Sequence, residues 1–299
     1  MKQESLPVAL TVANSANSHL SRFLDACHVI VRNRLALLGL IIVCTWLLAA
    51  FFAPYLATHD AYEINIANRL QNPTAEHWLG TDSLGRDTFS RIVFGARTAF
   101  EVAVGAVFLG AVFGIPIGAV AGFSGRWIDA ALMRLMDAII AFPGRLLAIA
   151  LVASLGGGLF SLYIALGISS IPSNARIVRA VVLGQKEKEY VQAARMTGES
   201  ELSILFLQVL PNCLSPLLVR LSLDFAHAIL AESSLSFLGL GLPPPTASWG
   251  LMLKEITPFL QLQPLAAIFP GLTISLIILG FNLLGDGLRD FFDPRQYER

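Results

Sequence analysis

Charge is scarce in this chain. Only 14% of its 299 residues are Asp, Glu, Lys or Arg, while 55% are hydrophobic. Soluble domains carry about 25% charged residues. The deficit argues against an ordinary soluble fold and for a polytopic membrane protein. Acidic and basic residues balance to a formal net charge of zero, so the basic surplus that a nucleic-acid partner needs is missing. Cysteine is sparse too. Cys27, Cys44 and Cys213 make no CxxC pair, so neither a disulfide framework nor a metal knuckle is expected, and no metal site is expected elsewhere. No GxxxxGK[ST] segment occurs, which excludes a Walker loop for ATP in this chain. HExxH and GxSxG are also absent, and no nucleophile–base constellation can be assembled, so no enzyme is expected. The polar N-terminal stretch has no early apolar run, unlike a cleavable signal peptide.

What the chain has instead is long apolar runs. A spanning helix needs about 20 apolar residues. The expected class is all-α, with six transmembrane helices. A tail, 1–34, precedes a first helix within 35–56, read across Leu35–Tyr55. A polar loop, 57–97, leads into a core at 98–288. That core holds helices over 102–125, from Asp129 to the Gly156-Gly157-Gly158 turn, over Leu159–Leu183, over Asn212–Leu238 and over Leu265–Leu288. A polar loop at 184–208 interrupts it, and a tail, 289–299, closes the chain. Gly110, Gly114, Gly118 and Gly122 recur every four residues, which lines one helix face with glycine and lets another helix approach closely.

Charge asymmetry orients the six spans. The two tails and residues 123–134 and 176–200 hold most of the Arg and Lys, among them Arg22, Arg126, Arg176, Arg179, Lys186, Lys188 and Arg289. The opposite loops hold only Arg69, Arg86, Arg91, Arg97 and Lys254. The excess marks the first side, with both termini, as cytoplasmic.

Ionisable residues inside spans are costly and default to functional candidates. Arg145 lies beside Pro143-Gly144 with no partner nearby in sequence, which favours a water-lined pathway over a lipid face. Arg220 and Asp224, four apart, can pair on one helix face, either to hold packing or to line the pathway. His227 and Glu232 continue that helix. Glu232 joins the pathway candidates, and His227 reads as a helix contact.

Two polar segments carry the remaining signal. Residues 185–194 contain good helix formers and no proline, and Gly198 is a plausible stop. The segment is either a solvated loop or a short surface helix seated in a partner. Farther upstream, W-L-G-T-D-S-L-G-R-D-T-F-S-R at 78–91 alternates Asp82 and Asp87 with Arg86 and Arg91, and its Gly80 and Gly85 permit turns. Local salt bridges would make it a structural clasp. Direct substrate contact is the alternative.

The motifs resemble a known family. Gln192-Ala193-Ala194, Gly198 and Leu210-Pro211 are spaced as in the EAA loop of ABC importer permeases, with Gln192 where the family has Glu and Glu189 as a possible substitute. Gly80, Thr81, Asp82, Gly85, Arg86, Asp87 and Arg91, then S-F-L-G-L-G-L-P-P-P at 236–245, Trp249-Gly250 and F-N-L-L-G-D-G-L-R-D at 281–290, resemble the C-type permease of dipeptide, oligopeptide and nickel importers. The resemblance implies a type I ABC importer permease fold in the bacterial inner membrane. It further implies half of a pore, a homologous B-type permease as partner, two ATPase subunits that bind ATP and Mg, and an extracytoplasmic solute-binding protein. Glu189, Gln192, Ala193, Ala194, Arg195, Gly198, Leu210 and Pro211 would couple the pore to an ATPase. No cofactor is expected in this chain. The cargo would be a dipeptide or oligopeptide, nickel or a metal chelate, and Arg145 tilts the reading towards an anionic group such as a peptide carboxylate. A stand-alone secondary transporter is the competing class. It would show inverted repeats, and none is visible.

Overall fold

The computed structural model describes residues 33–292. The expected tails, apart from Asn33–Arg34 and 289–292, lie outside these residues. Helices dominate the described chain, and the only bridge between extended segments there pairs Thr81 with Asp87.

Helix α1 spans Arg34–Phe51. Asn33 caps it, accepting from the backbone N–H groups of Leu35 (3.1 Å) and Ala36 (3.3 Å). A short helix, α2, covers Ala53–Leu56. Helix α3 then runs over Thr88–Ser124, 37 residues. It starts well before residue 102 and inside the loop expected at 57–97. The cause is Asp87, which accepts from Ser90 N at 2.8 Å as the N-cap. Arg91 is buried in an ion network, so the charges that suggested a loop lie within the first turns of the helix. Gly125, at φ 81°, ends α3.

The expected third helix is broken in two. Helix α4, Arg126–Ile140, and helix α5, Gly144–Leu155, meet at 79°. Pro143 supplies the break, because it donates no backbone hydrogen bond and disfavours helical geometry at Phe142. Helix α6 spans Leu159–Lys186, and α7 is the short helix Glu189–Met196. A helical turn at Glu201–Ser203, a π-helical turn at Ile204–Val209 and a last turn at Leu210–Asn212 lead to α8, Leu214–Leu238. The fifth expected helix thus starts after a break at Cys213. Helix α9 is Trp249–Ile256, and α10 is Leu265–Phe292.

Four helices, α1, α3, α8 and α10, are long and apolar enough to cross a membrane, and the bent α4–α5 pair counts as a possible fifth. Helix α6 has the length, 28 residues, but its second half carries Arg176, Arg179 and Lys186. Composition therefore supports four or five spans among the described residues.

Glycine sets the closest helix contacts. On α3, a Cβ at Gly114 would lie 2.7 Å from Asn174 Cβ and 3.0 Å from Ile171 O, both on α6. Gly110 faces Ser170, Gly118 faces Ala175 O, and a Cβ at Gly122 would lie 2.9 Å from Arg179 O. The whole stripe thus abuts α6. Between lipid-embedded helices, packing of this kind supplies the attraction that the hydrophobic effect cannot. Helix α1 crosses α10 in the same way, since a Cβ at Gly39 would stand 2.7 Å from Gly280 O. Trp249 on α9 is fully buried against Gly95 and donates its Nε1–H to Ile92 O at 2.9 Å, which pins α9 to α3.

Candidate functional site

A half-open cavity of roughly 460 Å³ lies between α3, α5, α6 and α8. Its walls are largely apolar, from Ala106, Ile149 and Leu166 among others, but polar groups converge on it. Arg145 projects from the first turn of α5, just past the Pro143 break. It is exposed and has no hydrogen-bond or ion-pair partner among the described residues. Across the cavity, Arg220 Nη2 contacts Asp224 Oδ1 at 2.8 Å, one helical turn on, and Arg220 Nε–H donates to Asn174 Oδ1 at 3.3 Å. Asp224 is buried, and its Oδ2 has no partner among the described residues. His227 and the hydroxyl-bearing Ser169, Ser170, Ser173 and Ser234 complete the polar lining. The bend between α4 and α5 is what turns Arg145 into this space.

Glu232 does not join them. It is 1% exposed and accepts from the hydroxyls of Ser236 (2.7 Å), Ser248 (2.8 Å) and Ser233 (3.3 Å). The Ser248 bond ties α8 to the chain entering α9. Three hydroxyls satisfy the carboxyl group inside the protein, and it lies outside the cavity lining.

Helix α7 sits at the far end of α3. Lys186, which ends α6, donates to Gly122 O at 3.1 Å, close to the end of α3. Val191 and Ala194 are buried on Phe123, Ile204, Leu205 and Val209. The face carrying Glu189, Gln192, Ala193, Arg195 and Met196 is exposed. Arg195 pairs with Glu201 (3.0 and 3.1 Å) and lies over the Phe123 ring at 5.6 Å. Tyr190 donates its hydroxyl to Gln185 Oε1 at 3.0 Å, and burial pushes its phenol above the usual value. Gly198 turns the chain at φ +82°, with open space where a Cβ would stand. Leu210 is half-buried and Pro211 exposed. The element is a short amphipathic helix, apolar face inward and charged face outward.

The 78–91 segment forms a closed network at the other end. A 37-residue helix is about 55 Å long, so the network and α7 are separated by the length of α3. Asp82 accepts from Arg86 Nε at 2.6 Å and from the backbone of Leu84 (2.8 Å) and Arg86 (3.0 Å). Arg86 Nη2 reaches Glu255 on α9 at 2.5 Å. Arg91 lies 3.5 Å from both Asp82 and Glu255, and its Nη1–H donates to Ala61 O at 3.2 Å. Gly80 and Gly85 turn the loop at φ +76° and +77°, against Gln71 O and Asn65 O. Thr81, Asp82, Arg86, Asp87 and Arg91 are all buried. Removing one partner from such a network typically costs about 3–5 kcal/mol, because the other charge stays buried alone. The segment is a structural clasp, and its charges are engaged with one another. Beside it, His59, Glu76 and His77 each bring one ligand atom within 4.8 Å of the others.

Comparisons with known proteins decide the family. The family described as "Binding-protein-dependent transport system inner membrane component" matches residues 114–297, and the N-terminal TM domain of oligopeptide transport permease C matches residues 21–73. The chain belongs to the binding-protein-dependent permease family. It is 45% identical over 276 residues to the dipeptide transport system permease protein DppC of Alkalihalophilus pseudofirmus, covering 92% of this chain and 91% of that one. It is 42% identical over 266 residues to the glutathione transport system permease protein GsiD of Pectobacterium atrosepticum, covering 89% and 88%. It is 44% identical over 266 residues to a putative peptide transport system permease of Brucella abortus, covering 89% and 90%.

For a transport permease, the three pieces stand in a functional order along α3. The clasp orders one end of the molecule, the cavity lies between the helices, and α7 presents a charged face at the other end. Sequence reasoning missed Glu255, which closes the clasp, because it lies far along the chain from Arg86 and Arg91. The only signal nearby was Trp249-Gly250, whose burial places α9.

Proposed function

We propose that this permease forms half of an ATP-driven translocation pathway for peptides. A homologous permease supplies the other half. Two ATPase subunits, holding ATP and Mg, dock on α7 in the cytoplasm, and a solute-binding protein delivers cargo to the clasp end. On this reading the chain crosses the bacterial inner membrane six times, counting the bent α4–α5 pair and α6, with both termini in the cytoplasm. The basic residues near α7 favour that orientation.

The cavity carries the reading. Among the described residues it exposes a cation without a partner, Arg145, opposite the Arg220–Asp224 ion pair, whose carboxylate is buried. A peptide brings the complement of Arg145, a terminal carboxylate. A bare metal cation has no group for Arg145 and is repelled by it. The names of the relatives, dipeptide and glutathione permeases, agree with a cargo that ends in a carboxylate. An unpaired Arg facing lipid would cost at least about 2.5–3.5 kcal/mol, which a water-filled pathway removes.

The test has two arms. Arg145→Cys, with Cys27, Cys44 and Cys213 replaced, is expected to react with a membrane-impermeant thiol reagent and to be protected by dipeptide. Arg145→Leu is expected to lower dipeptide uptake by roughly 10- to 100-fold, the loss of one charge-assisted hydrogen bond. A cysteine that never reacts, together with normal uptake in Arg145→Leu, would place the pathway elsewhere.

A further inference from the structure

We infer that His59, Glu76 and His77 form a binding site for one divalent transition-metal ion of the zinc class. The three come from two segments: the chain just past α2 and the loop ahead of the clasp. One ligand atom from each lies within 4.8 Å of the others. Tetrahedral coordination at about 2.0 Å brings ligand atoms to about 3.3 Å. Glu76 is exposed and His59 only half-buried, so both side chains have room to close that gap.

The surroundings are built as a metal-binding histidine requires. The His77 ring is nearly buried, and its Nδ1 lies 2.9 Å from Asp87 Oδ1, whose side chain is wholly buried. In the tautomer that donates Nδ1–H to that carboxylate, Nε2 is the free lone pair, the arrangement that orients and strengthens an imidazole ligand. The His59 Nδ1 is engaged on the same side, 3.1 Å from Thr58 Oγ1 and 3.8 Å from Asp87 Oδ1. The two rings lie 4.6 Å apart, centroid to centroid. The carboxylates of Glu76 and Asp87 beside the rings match the charge of one divalent cation. Two imidazoles and a carboxylate favour zinc and its neighbours over magnesium or calcium, which prefer all-oxygen sites.

Such an ion would act on the clasp. Asp87 both orients His77 and caps α3, while His59 follows α1 and α2. Binding would fasten the end of the first helix to the start of α3.

The experiment uses the purified permease complex with affinity tags cleaved and metal stripped by a chelator. Zn²⁺ is titrated calorimetrically, and metal content is measured after dialysis. About one Zn²⁺ per chain is expected above the level of a His59→Gln/Glu76→Gln double variant, with affinity lowered about 10-fold or more in each single variant. Neither position touches the cap bond of Asp87, and an unchanged melting temperature of the variants in chelator shows that they fold. Mg²⁺ in place of Zn²⁺ is expected to give the same heat in the unaltered complex and in the double variant. No zinc above the double variant, or equal zinc affinity in all four proteins, would overturn the inference.

Discussion

Gly114→Leu is expected to abolish transport by driving α3 and α6 apart. Even a single Cβ at this position would stand 2.7 Å from Asn174 Cβ and 3.0 Å from Ile171 O. The second of these is backbone, so no rotamer change relieves it. A leucine adds three more carbons in the same place. Overpacking in a well-packed core typically costs about 1–3 kcal/mol where neighbours can shift. Here the glycines on either side hold the same two backbones together, so a shift at Gly114 opens the contacts at Gly110 and Gly118 as well. The damage reaches the cavity directly, since Asn174 is also the partner of Arg220. Gly114→Leu should yield a complex that falls apart on size-exclusion chromatography, or one that assembles with little uptake. A monodisperse complex with full uptake would show that the α3–α6 approach is not needed.

Gly198→Asp is expected to separate folding from coupling. Gly198 sits at φ +82°, a conformation that costs other residues about 1–2 kcal/mol, though Asp and Asn tolerate it best. Nothing lies within 4 Å of the place a Cβ would take there, so the substitution meets no packing obstacle. The variant should reach the membrane and assemble with the proposed partner permease. What changes is a new carboxylate beside the exposed face of α7, next to Glu199 and Glu201, in the surface proposed to enter an ATPase subunit. Uptake is expected to fall by at least about tenfold while ATPase activity becomes independent of the binding protein. Uptake at the level of the unaltered protein would remove α7 from the coupling mechanism.

Much of the architecture was legible because apolar length and glycine spacing are local properties. The four glycines of α3 say that one face lacks side chains, though they do not say that α6 covers it. The start of α3 was hidden, because Arg91, Arg97 and Glu101 look like loop residues until Asp82 and Glu255 are seen to compensate Arg91. The break at Pro143 was visible as a proline, but a 79° bend depends on what the two halves pack against. Arg145, Arg220 and Asp224 stood out as charges in apolar runs. Glu232 stood out for the same reason, yet its neighbours Ser233, Ser236 and Ser248 satisfy it internally. A charge in a span marks a constraint, and only the partners tell a pathway from a brace. The His59, Glu76 and His77 cluster matched no short-range ligand spacing, because a loop fold brings His59 to the adjacent pair.

The most direct measurement is uptake by the complex rebuilt in proteoliposomes: this chain, the partner permease, the two ATPase subunits and the solute-binding protein. With ATP and Mg supplied on the α7 side, labelled dipeptide should accumulate only when the binding protein is present on the opposite side. It should stop when either ATP or the ATPase subunits are omitted. Accumulation by this chain without the ATPase subunits, driven by an ion gradient alone, would contradict the account.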